Sequence, residues 1–221
     1  MKVLVVGASR GIGLEFVRQF RADAAQVTAT ARNATGLARL RALGATALQL
    51  DVADVASAAA LAWYIDGESF DMAVIVAGIY GPKTTGLEPP AEADFDAVMH
   101  TNVLGPMRLL PPIAAALAPN ARLAVISSRM GSIGLRAGTS GWLYRASKAA
   151  ANSVLKDASI ALRDHAVCVA LHPGWVRTDM GGAGADLGVC DAVVALRRTI
   201  ANLRPSDNGA FLDHDGSPLA W

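Results

Sequence analysis

The first thirteen residues are the feature that most constrains how this chain can fold. The β-branched, apolar run 2–6 predicts a buried strand, and Gly7 ends it before a helix predicted over residues 14–20. Strand, glycine turn and helix together form the first half of a dinucleotide-binding βαβ unit. Gly7 permits the sharp exit from the strand, Gly11 lets the backbone approach a pyrophosphate, and Gly13 lets the helix pack close to the sheet.

These glycines follow the spacing G-x-x-x-G-x-G rather than G-x-G-x-x-G. A glycine turn between a strand and a helix is common in proteins, so the turn alone leaves cofactor binding and a purely structural role open. Free N–H groups at the start of a helix attract phosphate. The turn residues Ser9, Arg10 and Ile12 are therefore candidates for cofactor contact.

Strand-like and helix-like patterns alternate along the whole chain. Apolar, β-branched runs predict seven strands, at 2–6, 26–31, 45–50, 72–76, 122–126, 166–171 and 209–212. Helical patterns predict helices at 14–20, 36–43, 56–65, 93–117, 143–162 and 189–203. Because crossovers between parallel strands are right-handed, this order predicts an α/β Rossmann fold. We expect a doubly wound parallel sheet of about seven strands with helices on both faces, in a single domain over residues 1–221.

Composition agrees with such a fold and argues against several classes of protein. Of the 221 residues, 52% are hydrophobic and 18% charged, as expected for a sheet covered on both faces. A net charge of +1 does not favour nucleic acid or an anionic membrane as a partner. The two cysteines lack metal or redox spacing, the four histidines are scattered, and no apolar run is long enough for a membrane span. We therefore expect no metal, no signal peptide and a cytoplasmic protein with reduced thiols.

The strand ends carry the candidate site, since ligands of doubly wound sheets bind beyond the carboxyl ends of the strands. Arg32 follows the second strand, where an NAD-binding protein usually places an acidic residue, and Arg10 lies in the glycine turn on the same side. Two guanidinium groups suit the 2′-phosphate of NADP(H), which makes NAD(H) the less favoured cofactor. The alternative is that both are solvated surface arginines.

Asp51 and Val52 follow the third strand. The carboxylate of Asp51 can accept a hydrogen bond from an adenine amino group while Val52 packs against the ring. The same aspartate can instead cap the helix that follows, and the local sequence leaves both roles open.

A serine, a tyrosine and a lysine follow the fifth strand. Ser128 precedes Tyr144 by sixteen residues, and Lys148 lies one helical turn further on, on the same helix face. An ammonium group stabilises phenolate and lowers the pKa of a tyrosine, and a serine hydroxyl can polarise a carbonyl while the tyrosine transfers the proton. A Tyr-x-x-x-Lys pair alone is common on helix surfaces. Its position after the glycine turn and the strand-end serine gives it weight.

Asn102 and Pro106 lie in the long helix predicted over 93–117. Proline has no N–H, so the carbonyl group of Asn102 loses its usual i+4 partner. A buried carbonyl needs a hydrogen bond, and we expect a water molecule to supply it. The alternative is a kink that serves packing alone.

Together these pieces resemble the short-chain dehydrogenase/reductase family over nearly the whole chain. The segments 127–133 and 211–216 look like the branch that contains C-factor and the sniffer-type carbonyl reductases. The residues that match the family are, in order, Gly7, Gly11, Gly13, Asp51, Ala77, Gly78, Asn102, Ser128, Tyr144, Lys148, Pro173, Gly174 and Thr178.

The resemblance implies a role for each group. Tyr144 would be the general acid and base, Lys148 would lower its pKa and bind the nicotinamide ribose, and Ser128 would orient the carbonyl. Asn102 would hold a water that links Lys148 to solvent. Further cofactor contacts would come from Ala77, Gly78, Pro173, Gly174, Val176 and Thr178. Pro173 and Gly174 would flank the nicotinamide, and Thr178 would bind its carboxamide.

Two departures from the family pattern affect these expectations. The family usually has Asn-Ala-Gly after the fourth strand, where this chain has Val76-Ala77-Gly78, and the change bears on sheet stability or cofactor fit more than on the chemistry. The segment 180–189 is short, which implies a reduced substrate lid, an open site and varied aldehyde or ketone substrates. The candidate pocket residues are Trp142, Trp175 and Trp221.

The sequence thus predicts an NADP(H)-dependent oxidoreductase that interconverts a small carbonyl compound and an alcohol. The alternative is an NADP(H)-binding sensor or signalling protein with little turnover. A sugar-nucleotide epimerase is weaker, because such relatives usually carry a larger C-terminal substrate domain. Family members are generally dimers or tetramers built through the helices with Asn102 and Tyr144, so we expect a homodimer or homotetramer. The outer positions that allow it are Ala149, Ala150, Val154 and Ala158.

Overall fold

Seven parallel strands form one sheet in the computed structural model of the protein, which describes residues 1–221. The strands are β1 (Lys2–Val6), β2 (Gln26–Ala31), β3 (Thr46–Gln49), β4 (Phe70–Ile75), β5 (Leu117–Ile126), β6 (Ala166–His172) and β7 (Ala210–Asp213). Their order in space is β3-β2-β1-β4-β5-β6-β7. The order reverses between β1 and β4, so a ligand-binding crevice opens beyond the carboxyl ends of these two strands.

Helices cover both faces of the sheet, which confirms the predicted fold class. They are α1 (Gly11–Ala22), α2 (Ala34–Ala42), α3 (Val55–Tyr64), α4 (Glu92–Met99), α5 (Gly105–Ala115), α6 (Trp142–Ala161) and α7 (Val189–Ala201). Alternate residues of β1 serve the two sides: Val3 and Val5 belong to the core under α1, α2 and α7, and Leu4 belongs to the core under α3, α5 and α6. The central strands β1 and β4 are mostly apolar and buried because each faces a core on both sides.

The long helix predicted over 93–117 is wrong in two respects. A π-helical turn at His100–Leu104 separates α4 from α5. Pro106 has no N–H to donate, and just before it the N–H of Gly105 reaches back five residues to the carbonyl of His100. The helix also ends before Leu117, which already pairs with Phe70 as the first residue of β5.

The other predicted elements all occur, with their ends displaced by a few residues. Side-chain caps account for two of the earlier helix starts. Asn33 accepts a hydrogen bond from the N–H of Gly36 at 2.8 Å and starts α2, and Asp54 accepts one from the N–H of Ser57 at 2.6 Å and starts α3.

Helix α6 does not present its apolar residues as expected. Val154 is only 8% exposed and lies in the core, and Ala150 and Ala158 pack against the same core. Val154 therefore fills the interior beside the sheet, and the prediction that it belongs to an outer contact face is wrong. Ala149, Ala150 and Ala158 are half-buried, and for them the prediction stays a prediction.

No helix of the structure combines the length and apolar character needed to cross a membrane. Nor do His, Cys, Asp and Glu side chains form any group of three that could hold a metal ion. Both cysteines are free, with Cys168 buried and Cys190 exposed.

Candidate active site

A cavity of about 600 Å³ lies at the carboxyl ends of the strands, where their order reverses. Most of the residues predicted to contact a cofactor line it. They are Gly7, Ser9, Arg10, Gly11, Ile12, Arg32, Asp51, Val52, Ala77, Gly78, Tyr144, Lys148, Pro173 and Thr178.

Three residues predicted to contact a cofactor lie outside this lining. A Cβ atom on Gly13 would lie 2.4 Å from the carbonyl oxygen of Gly7, so Gly13 permits close packing of α1 on β1. Val176 is buried and pairs with Leu187, and a Cβ atom on Gly174 would lie 2.4 Å from the Leu187 side chain. Gly174 and Val176 thus shape the loop that follows β6.

The glycine turn brings the backbone against the cavity. Gly7 has φ +84°, and a Cβ atom there would lie 2.6 Å from the backbone nitrogen of Ala77, so no larger residue fits. Gly11 opens α1 with φ +53°. Its N-cap residue, Arg10, makes no side-chain hydrogen bond to the helix start. The first N–H groups of α1 are thus left without a side-chain cap, as a phosphate-binding helix end requires.

Cationic side chains line the wall of the cavity nearest β2. Arg32 and Arg39 both belong to the lining, and the Arg39 guanidinium donates a 3.3 Å hydrogen bond to the carbonyl of Ser9. Arg10 forms an exposed ion pair with Asp179, which follows Thr178 and also lines the cavity. Sequence reasoning missed Arg39. The sequence feature that could have indicated it is its position one helical turn after Gly36. A Cβ atom on Gly36 would lie 2.8 Å from the Ser9 side chain, so this part of α2 packs closely against the glycine turn.

Asp51 does not cap helix α3, so that alternative is wrong. Asp54 is the cap, and Asp51 instead accepts a 3.0 Å hydrogen bond from the N–H of Ala53. Ser57 accepts a 2.8 Å hydrogen bond from the N–H of Asp51, which fixes the turn. Asp51 and Val52 both reach the cavity lining.

The residue pair on α6 meets the strand-end serine as the spacing predicts. Tyr144 and Lys148 are 7% and 5% exposed, and both line the cavity. The Ser128 hydroxyl is close enough to the Tyr144 hydroxyl to lower its pKa, and the Lys148 ammonium lies 5.7 Å from the centre of the Tyr144 ring. Lys148 also donates a 2.9 Å hydrogen bond to the carbonyl of Ile126 at the end of β5.

The two neighbouring serines have different partners. The Ser127 hydroxyl donates a 2.5 Å hydrogen bond to the side-chain oxygen of Asn152, one turn beyond Lys148 on α6. Ser128 accepts a 3.1 Å hydrogen bond from the N–H of Met130 and faces Tyr144. Of the pair, Ser128 is therefore the hydroxyl that stands beside the phenol.

Burial has the largest effect on the pKa values of Tyr144 and Lys148. Burial, with a smaller contribution from the charge of Tyr80, raises the pKa of Tyr144 to about 12 against the opposing effect of Ser128. Burial also lowers the pKa of Lys148 to about 8. At neutral pH the phenol therefore holds its proton.

Asn102 ties the loop after β4 to α6 from its place in the π-helical turn. Its side-chain oxygen accepts a 2.9 Å hydrogen bond from the N–H of Ile79, and its amide nitrogen donates to the Ile79 carbonyl at 2.8 Å and to the Ser147 hydroxyl at 2.9 Å. A Cβ atom on Gly78 would lie 3.3 Å from both Asn102 Oδ1 and Lys148 Nζ, so the three groups are neighbours. The water expected at the Asn102 carbonyl stays a prediction.

Val76, the departure from the family pattern, leaves the sheet joined. The N–H groups of Val76 and Ala77 both donate to the carbonyl of Val6, at 2.9 and 3.1 Å. The Val76 side chain packs against the apolar core and also lines the cavity. Backbone hydrogen bonds thus close the gap between β1 and β4 without an amide side chain.

None of the three tryptophans proposed as pocket residues lines the cavity. Trp175 is exposed and donates a 2.9 Å hydrogen bond to the carbonyl of Gly181, and Trp221 stacks on Phe211 with ring centres 5.3 Å apart. Trp142 is half-buried at the start of α6. Met180 contributes apolar surface to the cavity, although its side chain was not predicted there.

Comparison with known proteins places these features in a wider context. The family model described as short chain dehydrogenase matches residues 1–186. C-signal of Myxococcus xanthus is 39% identical over 132 residues, which are 58% of this chain and 80% of that protein.

Two solved structures share the fold over essentially the whole length of both chains. The carbonyl reductase Sniffer of D. melanogaster has a TM-score of 0.90 at 29% identity, covering 100% of this chain and 99% of its own. A carbonyl reductase from Pseudomonas aeruginosa in complex with NADP has a TM-score of 0.86 at 32% identity, with the same coverage. The C-signal and Sniffer matches also confirm the predicted resemblance to the C-factor and sniffer-type branch.

Proposed function

This chain belongs to the short-chain dehydrogenase family, and from that premise we propose that it is an NADP(H)-dependent oxidoreductase that interconverts an aldehyde or ketone and the corresponding alcohol. One observation carries the proposal. Tyr144, which lies beside Ser128 and close to Lys148, lines a cavity that the glycine turn also lines. A proton donor and a phosphate-binding backbone thus share one site.

The residues present fit a dinucleotide. Gly7 and Gly11 shape a turn that a Cβ atom would obstruct at Gly7, and the uncapped start of α1 offers N–H groups to a pyrophosphate. Asp51 and Val52 would hold the adenine, and Lys148 the nicotinamide ribose. The NADP complex of the similar Pseudomonas aeruginosa reductase supports the same cofactor class.

The phosphorylated cofactor is favoured by the charges beside β2. Arg32 and Arg39 line this part of the cavity, and no carboxylate follows β2 to receive a ribose 2′-hydroxyl. Guanidinium groups form bidentate, charge-assisted hydrogen bonds with phosphate oxygens. Arg10 would join them by leaving its ion pair with Asp179.

Ser128, Tyr144 and Lys148 would each have a separate role in the reduction. When bound, the reduced nicotinamide supplies the hydride. Ser128 would hold the substrate oxygen by a hydrogen bond, and Tyr144 would donate its proton to that oxygen. The raised pKa of Tyr144, about 12, keeps this proton in place at neutral pH, and the Lys148 ammonium would stabilise the phenolate left behind.

The C-signal match keeps an NADP(H)-binding sensor with little turnover as the second candidate. Tyr144→Phe separates the two. For the reductase we expect wild-type protein to consume NADPH with a panel of aldehydes and ketones, and the variant to lose about 10²–10⁴ in kcat while binding NADPH unchanged by fluorescence titration. Wild-type binding without turnover on any panel member supports the sensor instead.

We also propose that the chain assembles as a homodimer or homotetramer. Support comes from apolar side chains left exposed on the helices that flank Asn102, namely Phe95 on α4, 47% exposed, and Met107 on α5, 50% exposed. Light scattering of Phe95→Ser and Met107→Ser variants tests this, because loss of the larger species is expected only if these helices form the interface.

A further inference from the structure

Tyr80 lies against the ring of Tyr144. Their ring centres are 4.6 Å apart and the ring planes are inclined by 23°, which is a stacked pair. Tyr80 belongs to the loop after β4, and none of the functional roles described so far uses it. Stacking covers a face of the very phenol that is to transfer the proton.

The loop holds Tyr80 in place from both sides. Ile79 is bound by the Asn102 amide through two hydrogen bonds. Gly81, with φ +76°, lies so close to α4 that a Cβ atom would meet Val98 at 2.5 Å. The two hydrogen bonds of Ile79 and the close approach of Gly81 to α4 thus anchor the backbone on both sides of Tyr80.

The hydroxyl end of Tyr80 meets the start of α6. A Cβ atom on Gly141, the N-cap of α6, would lie 2.4 Å from the Tyr80 hydroxyl oxygen, and Gly141 has φ +64°. Glycine at this position therefore makes room for Tyr80. The contact links Tyr80 to the helix that carries Tyr144 three residues later.

We propose that Tyr80 is a positioning residue, whose stacked ring holds the Tyr144 hydroxyl toward Ser128 and keeps water from the face of its ring. The proposal rests on the proposed function, in which Tyr144 transfers the proton. Tyr80 itself contacts no reacting atom in this scheme. It acts only through the orientation and solvation of Tyr144.

The electrostatic consequence has a definite sign. Burial raises the pKa of Tyr144, and the stacked ring of Tyr80 is part of what covers that phenol. The groups that face the phenol are Lys148 from its own helix, Ser128 from the end of β5 and Tyr80 from the loop after β4. Removing the Tyr80 ring while the other two remain therefore lowers the pKa of Tyr144.

Nuclear magnetic resonance of the cofactor-free protein tests the geometry directly. The chain has only three tyrosines, so ¹³C-labelled tyrosine gives a spectrum that Tyr144→Phe and Tyr80→Phe assign. We expect a ring-current shift of the Tyr144 signals that persists in Tyr80→Phe and disappears in Tyr80→Leu. Between about pH 9 and 11 the Tyr144 signal should begin to titrate in Tyr80→Leu but not in Tyr80→Phe.

Kinetics test the functional part with the same pair of variants. Tyr80→Leu should lower kcat about tenfold with unchanged NADPH binding. In the direction of alcohol oxidation, the pH at which the rate rises should be lower in Tyr80→Leu than in wild type. Tyr80→Phe should stay near wild type in both measurements. Unchanged Tyr144 signals and unchanged kcat in Tyr80→Leu would overturn the proposal. Absence of turnover in wild type would instead remove the proposed function, while the spectrum still decides whether the ring is held.

A second route avoids reliance on Tyr80→Leu, should that variant fold poorly. Gly141→Ala should displace the Tyr80 ring, lose the ring-current shift and lower kcat. Adding Tyr80→Phe removes the hydroxyl that the new methyl group would meet. The double variant should therefore recover part of the ring-current shift and part of kcat. A double variant no better than Gly141→Ala alone contradicts the contact.

Discussion

Lys148 donates a hydrogen bond to the carbonyl oxygen of Ile126, 2.9 Å away at the end of β5. The bond fixes a buried ammonium group beside Tyr144, with no carboxylate bonded to it. A buried, unpaired cation costs folding free energy, and groups that carry such a cost are typical of functional sites.

Lys148→Met should therefore stabilise the protein while abolishing turnover. Burial lowers the pKa of Lys148 from 10.5 to about 8, so below about pH 8 the folded chain bears the full cost of the charge, and the cost disappears as pH rises to about 10.5. After subtracting the lost hydrogen bond, we expect a gain on the order of 2 kcal/mol at pH 7. Thermal unfolding at about pH 7 and pH 10 measures it, and a lower Tm at pH 7 contradicts it.

The two serines at the end of β5 should respond in opposite ways to removal of the hydroxyl. Ser128→Ala should lower kcat by about 10²-fold with little loss of stability, because its hydroxyl faces Tyr144. Ser127→Ala should leave the buried side chain of Asn152 unpaired and cost about 1–3 kcal/mol of stability with a smaller effect on kcat. Steady-state kinetics and urea unfolding of both variants check this, each serving as the control for the other.

Asp179 should weaken the binding of NADPH. Both residues line the cavity, and the Asp179 carboxylate competes with a phosphate for the Arg10 guanidinium. Because both side chains are mostly exposed, the pair is worth no more than about 1 kcal/mol, so Asp179→Asn should tighten NADPH binding by up to about fivefold. NADH binding, which involves no 2′-phosphate, should not change. Equal effects on the two cofactors in fluorescence titrations would show that Arg10 does not meet the phosphate.

Loss of the Asn102 side chain should disturb both the fold and the site. The amide makes three hydrogen bonds to Ile79 and Ser147 and is 1% exposed. Asn102→Ala leaves buried partners unpaired, so we expect a loss of about 2–4 kcal/mol together with a lower kcat. Asn202→Ala at the exposed end of α7 is the matched control and should change neither. Equal stabilities of the two variants in chemical unfolding would refute this role.

Much of the fold follows from short-range patterns that the sequence displays. The glycine turn, the seven strands and the Tyr144 helix depend on local runs of residue types, and they appear where those runs predict them. The break at His100–Leu104 was foreshadowed by Pro106, but its π-helical form was not. The start of β5 at Leu117 depends on pairing with Phe70, a contact with a distant segment that no local pattern contains.

Parts of the site escape the sequence for the same reason. Arg39 reaches the cavity only because α2 packs beside the glycine turn, and Tyr80 meets Tyr144 only because the loop after β4 lies against α6. Both Asp51 and Asp54 are of a residue type that caps helices, and only the path of the chain after β3 determines that Asp54 caps α3. Such details require the tertiary arrangement.

The reversal of strand order between β1 and β4 has a practical consequence for redesign. Arg32 and Arg39 line the cavity on the side of β2, whereas Ser128 follows β5 and Tyr144 lies on α6. No side chain is shared between the two sets, so coenzyme preference can be re-engineered, for example by Arg32→Asp, without retuning the proton-transfer machinery. The strand order therefore separates the side chains proposed to select the coenzyme from those proposed to transfer the proton.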